Sequence, residues 1–123
     1  MIRGAEIVTR RQLGRTGAGE SMIRALDRGG SGPLFVSLDL DVLAAAHAPG
    51  VSAPSPDGLS PREALDLVYE AGADPRVIYF DLMELNPSVD PAGLTARLAA
   101  ALLVEFLHGL AIRHRAERRG QDG

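Results

Sequence analysis

No cysteine occurs among the 123 residues, which removes disulfides, thiolate metal sites and cysteine nucleophiles together. Lysine is missing as well: all thirteen basic residues are arginine, so Schiff-base chemistry and phosphate-loop lysines are excluded. Excess positive charge is lacking, since thirteen basic against sixteen acidic residues leave a formal charge of -3. Such a balance gives no electrostatic hold on nucleic acid. Long hydrophobic runs are scarce too. Residues 1–11 mix charges with apolar residues and lack the apolar core of a signal peptide. The longest apolar stretch, residues 98–112, carries Glu105 and His108 and falls short of the roughly 20 residues that a membrane span needs. These absences set the expectation of a cytoplasmic chain with neither a nucleic-acid nor a membrane partner.

What is present is ordinary globular composition, 46% hydrophobic and 24% charged, at the size of one folding unit. Residues 5–9 form a short apolar and β-branched run that reads as a strand. Met22, Ile23 and Leu26 at helical spacing, followed by Gly29-Gly30, predict a helix over residues 17–28. Gly14, Gly17 and Gly19 make a glycine-rich turn at its start, with no motif that would make it a phosphate cradle. Residues 34–38 and 77–80 are apolar runs of strand length, each ending in acids. Between them, residues 44–58 contain Pro49, Gly50, Pro54 and Pro56, which predicts a long ordered loop. Ser60, Pro61 and Glu63 then stand as N-cap, first-turn proline and capping-box acid of a helix running to Gly72. Pro91 starts a last helix whose apolar positions Leu94, Leu98, Leu102, Phe106 and Leu110 repeat every four residues. Residues 113–123 read as a basic polar tail behind a domain of residues 1–112. Strands alternating with helices imply an α/β fold, a three-layer α/β/α arrangement around a parallel sheet. Ligands of such sheets bind beyond the carboxyl ends of the strands.

The carboxylates stand at that end. Residues two apart in a strand share a face, so Asp39 and Asp41 are placed to aim at one point. Two anions so close repel, and a divalent cation with hard oxygen ligands is the simplest compensation. Taken alone, the D-x-D spacing more often marks a pair of helix or turn caps.

The wider context is residues 37–43, Ser-Leu-Asp-Leu-Asp-Val-Leu, followed by Ala48-Pro49-Gly50-Val51-Ser52-Ala53-Pro54 and Gly58-Leu59. It resembles a signature of the ureohydrolase superfamily: the arginases, agmatinases and formimidoylglutamases. Phe80-Asp81-Leu82-Met83-Glu84-Leu85-Asn86-Pro87, with Asp90 and Thr95-Ala96-Arg97 beyond, is similar to that family's D-x-x-E-x-N-P block and the helix after it. Ala44-Ala45 stands where arginases and agmatinases usually show Asp-Pro, which makes formimidoylglutamases the nearest subfamily. The resemblance implies an arginase-like fold, a binuclear manganese site to which Asp39 and Asp41 contribute carboxylates, with Asp39 the bridging one, and Glu84 as the acid holding the cationic end of the substrate. The implied reaction hydrolyses N-formimidoyl-L-glutamate to L-glutamate and formamide, a step of histidine breakdown. Two ions about 3.5–4 Å apart can share a hydroxide and so make a nucleophile at neutral pH.

The family's Gly-Gly-x-His and Asp-Ala-His-x-Asp segments, lying N-terminal of these blocks, have no counterpart in the sequence. His47, His108 and His114 stand in other settings and read as structural or solvated. The chain thus looks like the C-terminal part of a ureohydrolase with half of the metal ligands, inactive by itself, forming a homo-oligomer as relatives do. Two alternatives stand beside this: an agmatinase- or arginase-type amidinohydrolase, and a non-catalytic homologue serving as an interaction module. Ser52, Ser55 and Ser60 have no nucleophile-elbow pattern, and no side chain is assigned as a catalytic residue.

Overall fold

The computed structural model describes residues 4–121. Four helices and two strands follow one another as α1 Arg10–Thr16, α2 Ala18–Arg28, β1 Leu34–Asp39, α3 Pro61–Ala73, β2 Val77–Met83 and α4 Leu94–Gln121. β1 and β2 pair in parallel, Phe35 opposite Tyr79 and Asp39 opposite Met83. α3 is the crossover that returns the chain to the same end of the sheet. The α/β organisation read from the sequence is therefore present, with two strands and a helical layer among the described residues.

Local chemistry explains the elements. Ser60 Oγ accepts the Glu63 amide at 3.2 Å while Glu63 Oε2 accepts the Ser60 amide at 2.8 Å, closing the capping box ahead of Pro61. Arg10 adds a two-pronged contact to the same carboxylate. Hydrogen bonding from the Ser60 amide, followed by the Ser60 hydroxyl and Arg10, holds the Glu63 carboxyl below its ordinary range against the opposing effect of burial. The core gathers Leu40, Leu43, Val51, Leu59, Val68 and Leu102, with Phe80 stacked on Phe106 at a centroid distance of 4.2 Å. Leu38, Leu82 and Phe80 pack against that core from the helical side of the sheet.

Several expectations change. Residues 5–9 form no strand; Thr9 instead caps α1 through a capping box with Gln12. The glycine-rich stretch is largely helical, with only Gly17, at φ 91°, separating α1 from α2. Pro91 opens a single 3-10 turn, and α4 proper begins at Leu94. Along α4 the four-residue repeat drifts off a 3.6-residue turn, so Leu94 ends exposed and the neighbouring Thr95 is fully buried.

The basic polar tail read over residues 113–123 continues α4 as helix through Gln121, with residues 114–120 exposed along it; residues 122–123 lie outside the described residues. Arg113 is tied down by bonds to the carbonyls of Asp74 and Val77 at 2.7 and 3.0 Å. Residues 91–120 are thus long and apolar enough, by length and composition, to cross a membrane, unlike the shorter stretch read from sequence. In the structure this helix packs against α3. Gly72 on α3 and Gly109 on α4 let the two backbones touch; a Cβ on Gly109 would press on the Tyr69 carbonyl and lie 2.8 Å from the Ala73 nitrogen.

Candidate metal centre and substrate contact

Parallel pairing brings the ends of β1 and β2 together, and the three singled-out acids lie there. Asp39 is the last residue of β1. Asp41 is not a continuation of the strand: it sits in a one-turn 3-10 segment, Leu40–Val42. Asp39 Oδ1 accepts the Asp41 amide at 2.8 Å and so caps that turn. The same-face argument for the pair is therefore replaced by a capping geometry, the bland reading of D-x-D. One oxygen of Asp39 is committed to the cap, and among the described residues the other has no hydrogen-bond partner. Asp41 Oδ1 receives the Ala53 amide at 3.4 Å.

Glu84 follows directly on β2 with φ 72°, a left-handed backbone that non-glycine residues rarely adopt. Such outliers persist where surrounding structure over-determines them, as at functional sites. Ser52 Oγ donates to Glu84 Oε2 at 3.0 Å. Ser52 and Ala53 are consecutive, so one short piece of the loop contacts Glu84 through its hydroxyl and Asp41 through its amide.

That piece is held from below. The loop is ordered by Ala44 and Ala45 amides donating to Leu59 and Ser55 carbonyls at 2.9 and 2.7 Å, and by a bridge between Val51 and Leu85. The Gly50 amide donates to Thr95 Oγ1 at 2.7 Å, and the Asn86 amide to the Gly50 carbonyl at 2.8 Å. Asp90 takes the amides of Thr95 and Ala96 at 2.8 and 2.9 Å. Burial would raise the Asp90 carboxyl, and those amides together with the Thr95 hydroxyl outweigh it, leaving the group below its ordinary range. The start of α4, the loop and the Glu84 turn are thereby one hydrogen-bonded unit.

Asp39 and Glu84 are exposed and Asp41 half-buried, and among the described residues none of them forms an ion pair. Oxygen donors of this kind suit a hard divalent ion. They do not complete a site: among the described residues no three of His, Asp or Glu converge closely enough to hold an ion. His47 is exposed in the loop and stands outside any such group. Asp81 is occupied by the Ser37 hydroxyl across the strands at 2.5 Å, and Asn86 Oδ1 accepts Ser88 within its own turn. Ser52 had no local sequence signal as a partner of Glu84, because the contact spans 32 residues and depends on the Val51–Leu85 bridge.

Comparison with known proteins gives the site its context. The sequence model of the Arginase family matches residues 1–109. The chain is 37% identical over 114 residues to proclavaminate amidinohydrolase of Streptomyces clavuligerus, covering 93% of this chain and 36% of that one. With formimidoylglutamase of Geobacillus thermodenitrificans identity is 41% over 106 residues, covering 85% of this chain and 33% of the relative. A crystal structure of Trypanosoma cruzi formiminoglutamase with Mn2+ superposes with a TM-score of 0.80 at 35% identity, covering 84% of this chain and 34% of that one. The chain thus spans about a third of the length of the curated relatives it matches.

Proposed function

The chain belongs to the arginase family, and from that membership we propose that it supplies part of the centre of a manganese-dependent hydrolase of linear amidines, N-formimidoyl-L-glutamate being the substrate. Residues elsewhere complete the ligand set. The observation that carries this reading is the placement of Asp39, Asp41 and Glu84 at one end of a parallel strand pair, with Ser52 and Ala53 linking Asp41 to Glu84.

Asp39 and Asp41 would hold manganese through their carboxylate oxygens. When bound, such ions supply a water made nucleophilic at neutral pH. Glu84 takes the amidinium nitrogens of the substrate in charge-assisted hydrogen bonds, and Ser52 keeps one of its oxygens directed. The left-handed backbone at position 84 sets where that carboxylate starts from, so the amidine carbon is positioned by the main chain as much as by the side chain.

The substrate choice follows from the formimidoylglutamase relatives. An amidinohydrolase acting on a guanidine is favoured by the Streptomyces relative, and the product separates the two: formamide from a formimidoyl group, urea from a guanidino group. The test is a chimera in which this chain replaces the matching third of the Geobacillus enzyme, loaded with Mn2+. Formamide release is expected. Asp39→Asn and Asp41→Asn should lower bound metal, whereas Glu84→Gln should keep the metal and lose at least about a hundredfold in kcat/KM, the scale of a lost positioning contact. Urea in place of formamide overturns the substrate. For the isolated chain neither hydrolysis nor tight binding is expected, and submicromolar Mn2+ affinity by calorimetry would contradict the shared ligand set.

A further inference from the structure

Three residues of the long loop run antiparallel to the three that begin with the substrate-holding acid. The Gly50 carbonyl accepts the Asn86 amide at 2.8 Å, Val51 bridges Leu85, and Ser52 Oγ donates to Glu84 Oε2 at 3.0 Å. All three pairs share one register and make a short two-stranded ribbon. It starts inside the molecule, where Gly50 and Val51 are buried, and ends in solvent with Ser52 and Glu84. The residues on either side of Ser52 are Val51 and Ala53. A slip of one residue turns the side chains of a strand to the other face, so any other register would set an aliphatic group where Glu84 now meets a hydroxyl.

Two-stranded ribbons are marginal by themselves, and this one has its anchor at the buried end. Thr95 Oγ1, on a residue with no exposure, accepts the Gly50 amide at 2.7 Å. Asp90 braces Thr95 by taking the amides of Thr95 and Ala96 at 2.8 and 2.9 Å. The Asp90 side chain also lies so close to Gly50 that a Cβ there would run into it. A shift of the loop in one direction would offer Thr95 the nitrogen of Pro49, which has no hydrogen to donate. We propose that Thr95, braced by Asp90, is a positioning residue for substrate binding: its hold on the Gly50 amide sets the register that keeps Ser52 against Glu84. Thr95 touches no reacting atom and acts through Glu84. The inference rests on the reading of Glu84 as the acid that receives the amidinium.

The experiment is a double-variant cycle in the Mn2+-loaded chimera, assayed on whichever of the formimidoyl and guanidino substrates it turns over. Thr95→Val should lower kcat/KM at least about tenfold, chiefly through KM, with bound Mn2+ unchanged. Thr95→Ser keeps the acceptor and should stay within about threefold of the parent. In a Glu84→Gln background Thr95→Val should cost less than about a further twofold, because residues that act through one contact are not additive. A fold-supporting bond alone would cost the same in both backgrounds, and that result overturns the proposal, as does loss of metal together with activity. Asp90→Asn weakens the brace without unpairing Gly50 and should show the same pattern at smaller size. The 123-residue chain supplies a measurement that needs no turnover. In Thr95→Val, hydrogen exchange at the Asn86 amide should accelerate at least about tenfold more than at Val68 in the buried middle of α3, as local opening requires. Equal acceleration at the two amides overturns the register anchor. A chimera that hydrolyses neither compound while Asn86 responds as expected refutes the catalytic reading and leaves the anchor in place.

Discussion

Replacing Gly109 by alanine sets two effects of known size against each other. In the interior of a helix alanine is preferred to glycine by about 1 kcal/mol. Against that stands the crossing of α3 and α4, where the new methyl would press on the Tyr69 carbonyl and the Ala73 nitrogen. Both are backbone atoms and cannot swing aside as a long side chain would. Overpacking of this kind costs about 1–3 kcal/mol, and the upper part of that range applies when main chain has to move. The packing cost wins, leaving Gly109→Ala destabilised by about 1–2 kcal/mol, or roughly 3–10 °C in Tm for a domain of this size. Gly120 lies on the same helix with nothing among the described residues within 4 Å of a Cβ, so Gly120→Ala keeps the propensity gain and should raise Tm slightly. Thermal melts of both variants, followed by circular dichroism at 222 nm or by calorimetry, give the comparison. If Gly109→Ala rises alongside Gly120→Ala, the helices are not in backbone contact and the packing described for α4 is wrong.

Thr95→Val keeps shape but leaves the Gly50 amide without its acceptor in a buried place; a loss of about 1–3 kcal/mol is expected, with Thr95→Ser restoring most of it and amide exchange at Gly50 as a local readout. Asp74 provides the pH test. Hydrogen bonds from the Arg76 side chain, opposed by burial and helped by the Arg76 amide and by the charges of Arg76 and Arg113, hold its carboxyl below the ordinary range. A carboxyl lowered in the folded state contributes stability that is complete above its unfolded pKa and is lost as pH falls through the folded one. Denaturant titrations should therefore show stability declining below about pH 4, and Asp74→Asn should flatten that decline while lowering stability at neutral pH. An unchanged slope in the variant would remove Asp74 from the account.

Where chemistry is local, the sequence was readable. Ser60, Pro61 and Glu63 announce α3, and the structure closes the same capping box. Both strands follow from apolar runs bounded by acids. α1 was equally announced, since Thr9 and Gln12 stand three apart in the same pattern, but the β-branched run before them drew the reading toward a strand. The beginning of α4 was misplaced because Pro91 is a good first-turn residue, whereas the carboxylate that caps the helix belongs to Asp90 and reaches Thr95 and Ala96 across an intervening turn. Spacing points to Asp39 and Asp41 alone, and a shared strand face does not hold for them because Asp41 has left the strand; Glu84 stands out only through the family resemblance of the block around it. Ser52 was out of reach, since only the folded loop puts it against Glu84.

Arg76 stands at the opposite end of the molecule from those acids. It bonds to Asp74, to the Gly30 carbonyl at 2.8 Å and to Asp27 at 3.2 Å, lashing the entrance of β1 to the entrance of β2. Because the strands run the same way, everything that fastens their beginnings lies a full strand length from everything their endings present. Substitutions at sites so far apart, with no shared partners, add independently. A lineage built on this plan can gain or surrender robustness at the Arg76 knot while leaving the opposite rim untouched, and can remodel that rim for a new compound without loosening the knot.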